Sequence, residues 1–241
     1  MKKKFNTKVI HSGHGPDKET GAVMPPIHLS STFKQMEPGN FEYEYARTKN
    51  PSRDVLEKLL AQIESGDKAF AFASGMSAIN TVCDLFGTNY HIVCSDDVYG
   101  GTRRLFDKVK SNIDVTYIDF DKNINWNDEI KENTKFIWIE TPSNPLMKII
   151  DIKNTVNIAS EFKLPVICDN TFASPYNQRP LELGADMVVS SSTKYLGGHS
   201  DIVGGSIVIK ENKEYAEKIS FIQNAVGAVP SPFDCYLLTR S

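Results

Sequence analysis

The sequence predicts an α/β fold built on a mostly parallel central sheet. Three observations carry this expectation. Seven short apolar runs alternate along the chain with segments of helical periodicity. The runs are continuous rather than alternately apolar and polar, which is the pattern of strands covered on both faces. The order of strands and helices is the one that crossovers between parallel strands require.

Residues 1 to about 50 have no clear periodicity and are rich in Gly, Pro, Ser and Thr, as in "GAVMPPIHLSSTF". Such a segment buries little alone. Phe33, Phe41, Tyr43 and Tyr45 near its end favour an arm packed against something else over a disordered tail. The expected division is an N-terminal arm, 1–50, and a large domain, 51–241. In "DVLEKLLAQIES", Val55, Leu56, Leu59, Leu60 and Ile63 recur at helical spacing. The strand candidates that follow are "KAFAFAS", "YHIVCS", "DVTYIDF", "KFIWIE", "LPVICD", "DMVVSS" and "GGSIVI". Between and after them lie the helix candidates "GMSAINTVCDLFG", "GTRRLFDKVKS", "IKNTVNIASEF" and "KEYAEKISFIQNAV".

A net charge of −3 over 241 residues gives no electrostatic case for nucleic acid or membrane partners. The basic run Lys2 to Lys4 is short and reads as a solvated start. No apolar core follows it, so it is not a signal peptide, and no run approaches the length of a membrane span. Cys83, Cys94, Cys168 and Cys235 are scattered without a C-x-x-C pair. They read as reduced structural thiols of a cytoplasmic protein. The five histidines are dispersed and form no metal-site spacing.

In open α/β sheets, ligands bind beyond the carboxyl ends of the strands. Gly75 and Met76 follow the first strand run and open a helix, where backbone amides and the helix dipole suit a phosphate. Tyr99 follows the second, "TPSNP" the fourth, and Asp169 closes the fifth. Lys194 follows the sixth, within "SSSTKYLGGHSD". Each has an ordinary reading as a turn, a cap or a solvated side chain. Together they place a phosphate turn, a flat aromatic, an acid and a lysine on one crevice. No P-loop is present, and "GGHSDIVGG" does not fit a dinucleotide turn. The set suits pyridoxal 5′-phosphate (PLP), which needs a lysine for its Schiff base, an acid facing its pyridinium nitrogen and donors for its phosphate.

The motifs "YEYARTKNPSRD", "AFASGMSAI", "DDVYGGT", "WIETPSNP", "DNTFASPYNQRPLELGAD" and "SSSTKYLGGHSDIVGG" resemble those of the Cys/Met-metabolism PLP enzymes, the trans-sulfuration group. The resemblance runs from about Val9 to the last residue. It implies the large domain of the PLP-dependent transferase-like fold (fold type I) and a sulfur amino-acid substrate. Lys194 then matches the Schiff-base lysine, Asp169 the partner of the ring nitrogen and Tyr99 the stacked aromatic with a part in proton transfer. Gly75, Met76, Ser191 and Thr193 match phosphate contacts, and Asn144 a group near the ring oxygen. Tyr45 and Arg47 match a pair that reaches the phosphate of a neighbouring subunit, so a homodimer or homotetramer is expected. Arg104 matches an arginine at the mouth of the site, toward substrate.

Within the family, Gly101 stands where methionine γ-lyases carry a cysteine, and "QNAVGAVPSPFDCYLLTR" resembles cystathionine γ-lyases more than γ-synthases. The expected reaction is γ-elimination of cystathionine, with γ-replacement on an activated homoserine as the alternative. The chain stops within a helical pattern at "YLLTRS". The resemblance implies a smaller C-terminal domain beyond this point, with the arginine that binds the substrate carboxylate. A truncated chain is therefore expected, and a non-catalytic PLP-binding remnant stands as a reading of another class. A generic α/β domain for some other phosphorylated ligand would form no bond at Lys194.

Overall fold

A computed structural model describes residues 4–241, so Lys2 and Lys3 of the basic start lie outside the described residues. After a short helix, α1 (Phe5–His11), residues 12–50 form turns and two isolated bridges, Thr32 with Tyr45 and Glu37 with Asn40. Helix α1 was not expected. Its seven residues are too few to show a period, and Phe5 and Val9 pack against the cluster beneath the next helix.

Regular structure resumes at α2 (Pro51–Ile63). Asn50 caps it by accepting from the Ser52 and Arg53 N–H groups, and Pro51 sits at the first position, where no N–H is needed. There follow β1 (Lys68–Phe72), α3 (Gly75–Leu85), β2 (Tyr90–Ser95) and α4 (Gly100–Arg104). Helix α4 widens into a π-helical turn, Leu105–Val109, within the segment expected as one helix. Leu105 and Phe106 are both buried there, Phe106 edge-on to Trp138. Next come β3 (Ile113–Ile118), α5 (Trp126–Glu129), β4 (Thr134–Glu140), α6 (Ile152–Glu161), β5 (Val166–Asp169) and α7 (Ser174–Asn177). The chain closes with β6 (Met187–Ser190), β7 (Gly205–Ile209), α8 (Lys213–Val226) and α9 (Pro232–Arg240).

The sheet order is β1-β7-β6-β5-β4-β2-β3, and only β7 runs against its neighbours. Successive strand residues enter opposite layers. Phe70 and Phe72 join the core with α3, while Ala69 and Ala71 join the core beneath α2. Phe136 and Trp138 face the α3 side, and Ile137 and Ile139 face the layer that includes Ile152 and Ala159 of α6. Burial on both faces is why the strands read as unbroken apolar runs. All four cysteines are free and buried. No helix is long and apolar enough to cross a membrane, and no group of three metal-ligating side chains occurs among the described residues.

Candidate active site

The carboxyl ends of β1, β2, β4, β5 and β6 converge on a cavity of about 360 Å³. Ser74, Gly75 and Met76 line one end. Helix α3 begins there, capped reciprocally by the hydroxyls of Ser74 and Ser77. The N–H groups of Gly75 and Met76 have no acceptor among the described residues. Ser191 and Thr193 line the same cavity, whereas the Ser190 and Ser192 hydroxyls are buried and unpartnered. This alternation continues the two-residue period of β6 into the loop.

Two glycines set how closely these pieces approach. A Cβ on Gly75 would lie 2.8 Å from Cβ of Ser191. A Cβ on Gly205 would lie 2.2 Å from the Ser74 carbonyl oxygen. The start of α3 is thus pressed against both β7 and the Ser191 loop. Its free amides and the Ser191 hydroxyl form a cradle suited to a phosphate dianion, and the Thr193 hydroxyl beside them donates to the Gly204 carbonyl at 3.2 Å.

Asp169, the last residue of β5, is buried at the cavity wall. One carboxylate oxygen accepts from the Thr171 N–H (3.0 Å) and hydroxyl (2.5 Å). The same hydroxyl accepts from the Ser191 N–H at 2.8 Å, tying the acid to the phosphate cradle. Burial pushes the Asp169 carboxyl above the usual carboxylate range, against the pull of Thr171. A bound cationic ring nitrogen would favour its charged form.

Lys194 lines the cavity from the turn after β6 and is exposed. None of the ion pairs among the described residues includes it. Its carbonyl accepts from the Gly198 N–H at 2.8 Å, and the Gly197 N–H donates to the Ser192 carbonyl. A Cβ on Gly197 would lie 2.8 Å from that carbonyl oxygen, and Gly198 has φ +68°. The two glycines let the chain turn back tightly behind the lysine. His199 Nδ1 sits 2.7 Å from the Gly197 carbonyl, consistent with a structural role.

Tyr99 lies at the start of α4 and is half exposed. Its ring covers Gly101, where a Cβ would stand 2.4 Å from the ring carbon Cε1. A side chain at position 101 would therefore displace the Tyr99 ring as it stands. Asn144 lines the cavity from the loop after β4.

Eight of the named residues thus share one cavity, and three do not line it. Arg104 ends α4 and is exposed. Tyr45 is exposed in the arm. Arg47 donates to the Asn224 carbonyl at 2.5 Å and to its side-chain oxygen at 3.1 Å. Sequence reasoning missed Glu140 and Thr171. Glu140, the last residue of β4, is 5% exposed and registers with Asp169 across the two strands. Burial and the neighbouring Asp169 carboxyl push the Glu140 carboxyl above the usual carboxylate range. The available signal was an acid directly following the apolar run Phe136 to Ile139 in "KFIWIE".

The residues fit PLP on these grounds: an anion cradle with unpartnered amides, a buried acid and a lysine free of counter-charge line one cavity.

The Cys/Met metabolism PLP-dependent enzyme family matches residues 6–241. A cystathionine beta-lyase of Coxiella burnetii is 46% identical over 99% of this chain and 63% of its own length. A probable cystathionine gamma-synthase of Herpetosiphon aurantiacus is 48% identical over 98% of this chain and 75% of its own. The crystal structure of a cystathionine gamma-lyase from Lactobacillus plantarum complexed with L-serine superposes with a TM-score of 0.95 at 46% identity. That match covers 99% of this chain and 63% of the other. The chain therefore spans less than two thirds of the length of the first and third of these proteins, and it belongs to the Cys/Met metabolism PLP-dependent enzymes, whose cofactor is pyridoxal 5′-phosphate.

Proposed function

We propose that this chain forms the cofactor-binding part of a carbon–sulfur lyase of trans-sulfuration. The reaction would be γ-elimination of cystathionine with water to cysteine, 2-oxobutanoate and ammonia. The observation that carries the reading is the meeting of Lys194, Asp169 and the α3 phosphate cradle in one cavity. The four buried free thiols support a reduced, cytoplasmic setting.

Bound here, PLP would supply an electron sink for the charge left when the substrate's Cα proton departs. The Gly75 and Met76 amides, with Ser191 and Thr193, hold the phosphate. Asp169 keeps the ring nitrogen protonated. The Lys194 amine would take the Cα proton and, once it had passed that proton on to the cofactor, would be free to take a second at Cβ before the γ-sulfur leaves. Tyr99 would supply the flat aromatic surface against the bound ring and a proton for the departing sulfur. Asn144 serves the ring oxygen, and Arg104 serves substrate at the mouth. Tyr45 and Arg47 reach a neighbouring subunit's phosphate in a homodimer or homotetramer. Their position off this chain's own cavity supports that reading.

The similarity to a named gamma-synthase favours γ-replacement as the second reading. Product analysis separates the possibilities. With PLP and cystathionine, γ-elimination yields 2-oxobutanoate, whereas β-elimination yields pyruvate. With cysteine and an activated homoserine, γ-replacement yields cystathionine. A PLP chromophore without turnover would mark a binding remnant. The lysine assignment is tested by borohydride reduction and peptide mass spectrometry. PLP should be trapped on Lys194, and Lys194→Ala should abolish both the trapped adduct and the visible band. A variant that kept them would refute the assignment.

A further inference from the structure

We propose that Glu140 is a positioning residue that clamps together the two loops bearing Tyr99 and Asn144. The clamp itself is read from the protein's own hydrogen bonds, and its consequence for the cofactor rests on the PLP reading of the cavity. One carboxylate oxygen of Glu140 accepts from the Tyr99 N–H at 2.8 Å. The other accepts from the Asn144 N–H at 2.8 Å. The first loop follows β2 and the second follows β4, so a single side chain joins loops from neighbouring strands. Both residues it grips line the cavity, and both are gripped through the backbone. Their side chains stay free for other partners.

A carboxylate here is costly to bury, and Asp169 beside it adds to that cost. An apolar residue would suit this end of β4 better, since the four buried residues before it, Phe136 to Ile139, are all apolar. Two directed N–H donors offset the burial and need an acceptor at each oxygen. A second link joins the same loops farther out, where an Asp97 oxygen accepts from the Leu146 N–H at 3.0 Å. Glu140 controls the cavity side of the junction, and Asp97 the outer side.

Glu140→Gln tests this, because an amide keeps the size of the carboxyl but offers one acceptor oxygen and a hydrogen-bearing nitrogen. Backbone amide exchange is measured by NMR without cofactor. Exchange at Tyr99, Asn144 or both should rise about tenfold, with Leu146 and the β4 amides unchanged. With PLP, the dissociation constant should rise about tenfold, and the visible circular dichroism of bound cofactor, sensitive to the Tyr99 ring, should change. If the Gln variant fails to fold, Glu140→Asp takes its place. It keeps the charge but is one methylene too short to reach both amides. Unchanged exchange at both amides overturns the clamp. Raised exchange with wild-type PLP affinity and dichroism overturns its role in the cavity. A wild-type chain that forms no Lys194 adduct would sink the cofactor reading, while the exchange data still decide the clamp.

Discussion

Around Lys194, the ends of five strands in one sheet carry the candidate site residues. Around Tyr45 and Arg47, an irregular arm is tied to α2 by one buried guanidinium, among other contacts. Arg53, in α2, donates to the carbonyls of Ala46 (2.9 Å), Arg47 (3.2 Å) and Thr48 (2.8 Å). Its Nε lies 3.6 Å from a Glu57 oxygen. The cavity rests on a paired sheet with cores on both faces, and the loops after β2 and β4 are further joined by Glu140 and Asp97. The arm has no sheet to rest on, and its turn is specified by a side chain that satisfies three carbonyls. Helix α2 serves both regions. Arg53 in its first turn secures the arm, and Glu64 just past its end lies 3.3 Å from Asn170 Nδ2, beside Asp169.

The largest expected effect breaks the arm and spares the cavity. Arg53→Ala leaves three carbonyls and Glu57 without their cation and should cost about 3–5 kcal/mol in urea unfolding. Amide exchange at Tyr99 and Asn144 should stay at the wild-type level in the folded variant. A rise there would mean that the two regions are one unit.

Asp169→Asn reverses the pattern. PLP affinity should fall about a hundredfold, or about 2.7 kcal/mol, in a titration of the visible band. The unfolding midpoint of the apo chain should not fall, because a buried charge has been removed. A lower apo stability would assign Asp169 a structural role instead.

A pH series sharpens the role of α2. Burial pushes the Glu64 carboxyl up to about 8 from 4.5. A carboxyl whose folded pKa exceeds its unfolded one binds its proton more tightly when folded. Stability is therefore lost as pH rises from about 4.5 to about 8. Glu64→Gln should remove about 1–2 kcal/mol of that decline, read as a flatter plot of melting temperature against pH. An unchanged slope would shift the effect to Glu57, Glu140 and Asp169, whose carboxyls are raised in the same direction.

Arg47→Ala should change least. Its bonds to Asn224 are exposed, so unfolding free energy should move by less than about 0.5 kcal/mol. If Arg47 serves a neighbour's phosphate, the same variant should lose PLP on dilution faster than wild type. Equal retention would leave it a local contact of the arm.

Much of the fold was readable because its local signals agree. Strands buried on both faces must be apolar throughout, and α3 and α6 carry caps and periodic faces of their own. That Gly75, Tyr99, Asp169 and Lys194 would meet at one cavity was readable because parallel strands all end on one edge. Position after a strand then implies position at the site. Helix α1 was not readable, since its stability comes from packing on α2 rather than from its own seven residues. Nor was the reversal of β7, because an antiparallel strand covered on both faces has the same apolar run as a parallel one.

From residue order alone came the layer architecture, the family motifs and the residue types gathered at the strand ends. These depend on local periodicity and on spacing along the chain. The pairing of Glu140 with Asp169, the bridge from Glu140 to Tyr99 and Asn144, and the hold of Arg53 on the arm came from the folded molecule. Each joins groups whose proximity depends on strand register and on the direction of one side chain. Neither quantity is written in composition or period, because both are set by how the whole sheet packs.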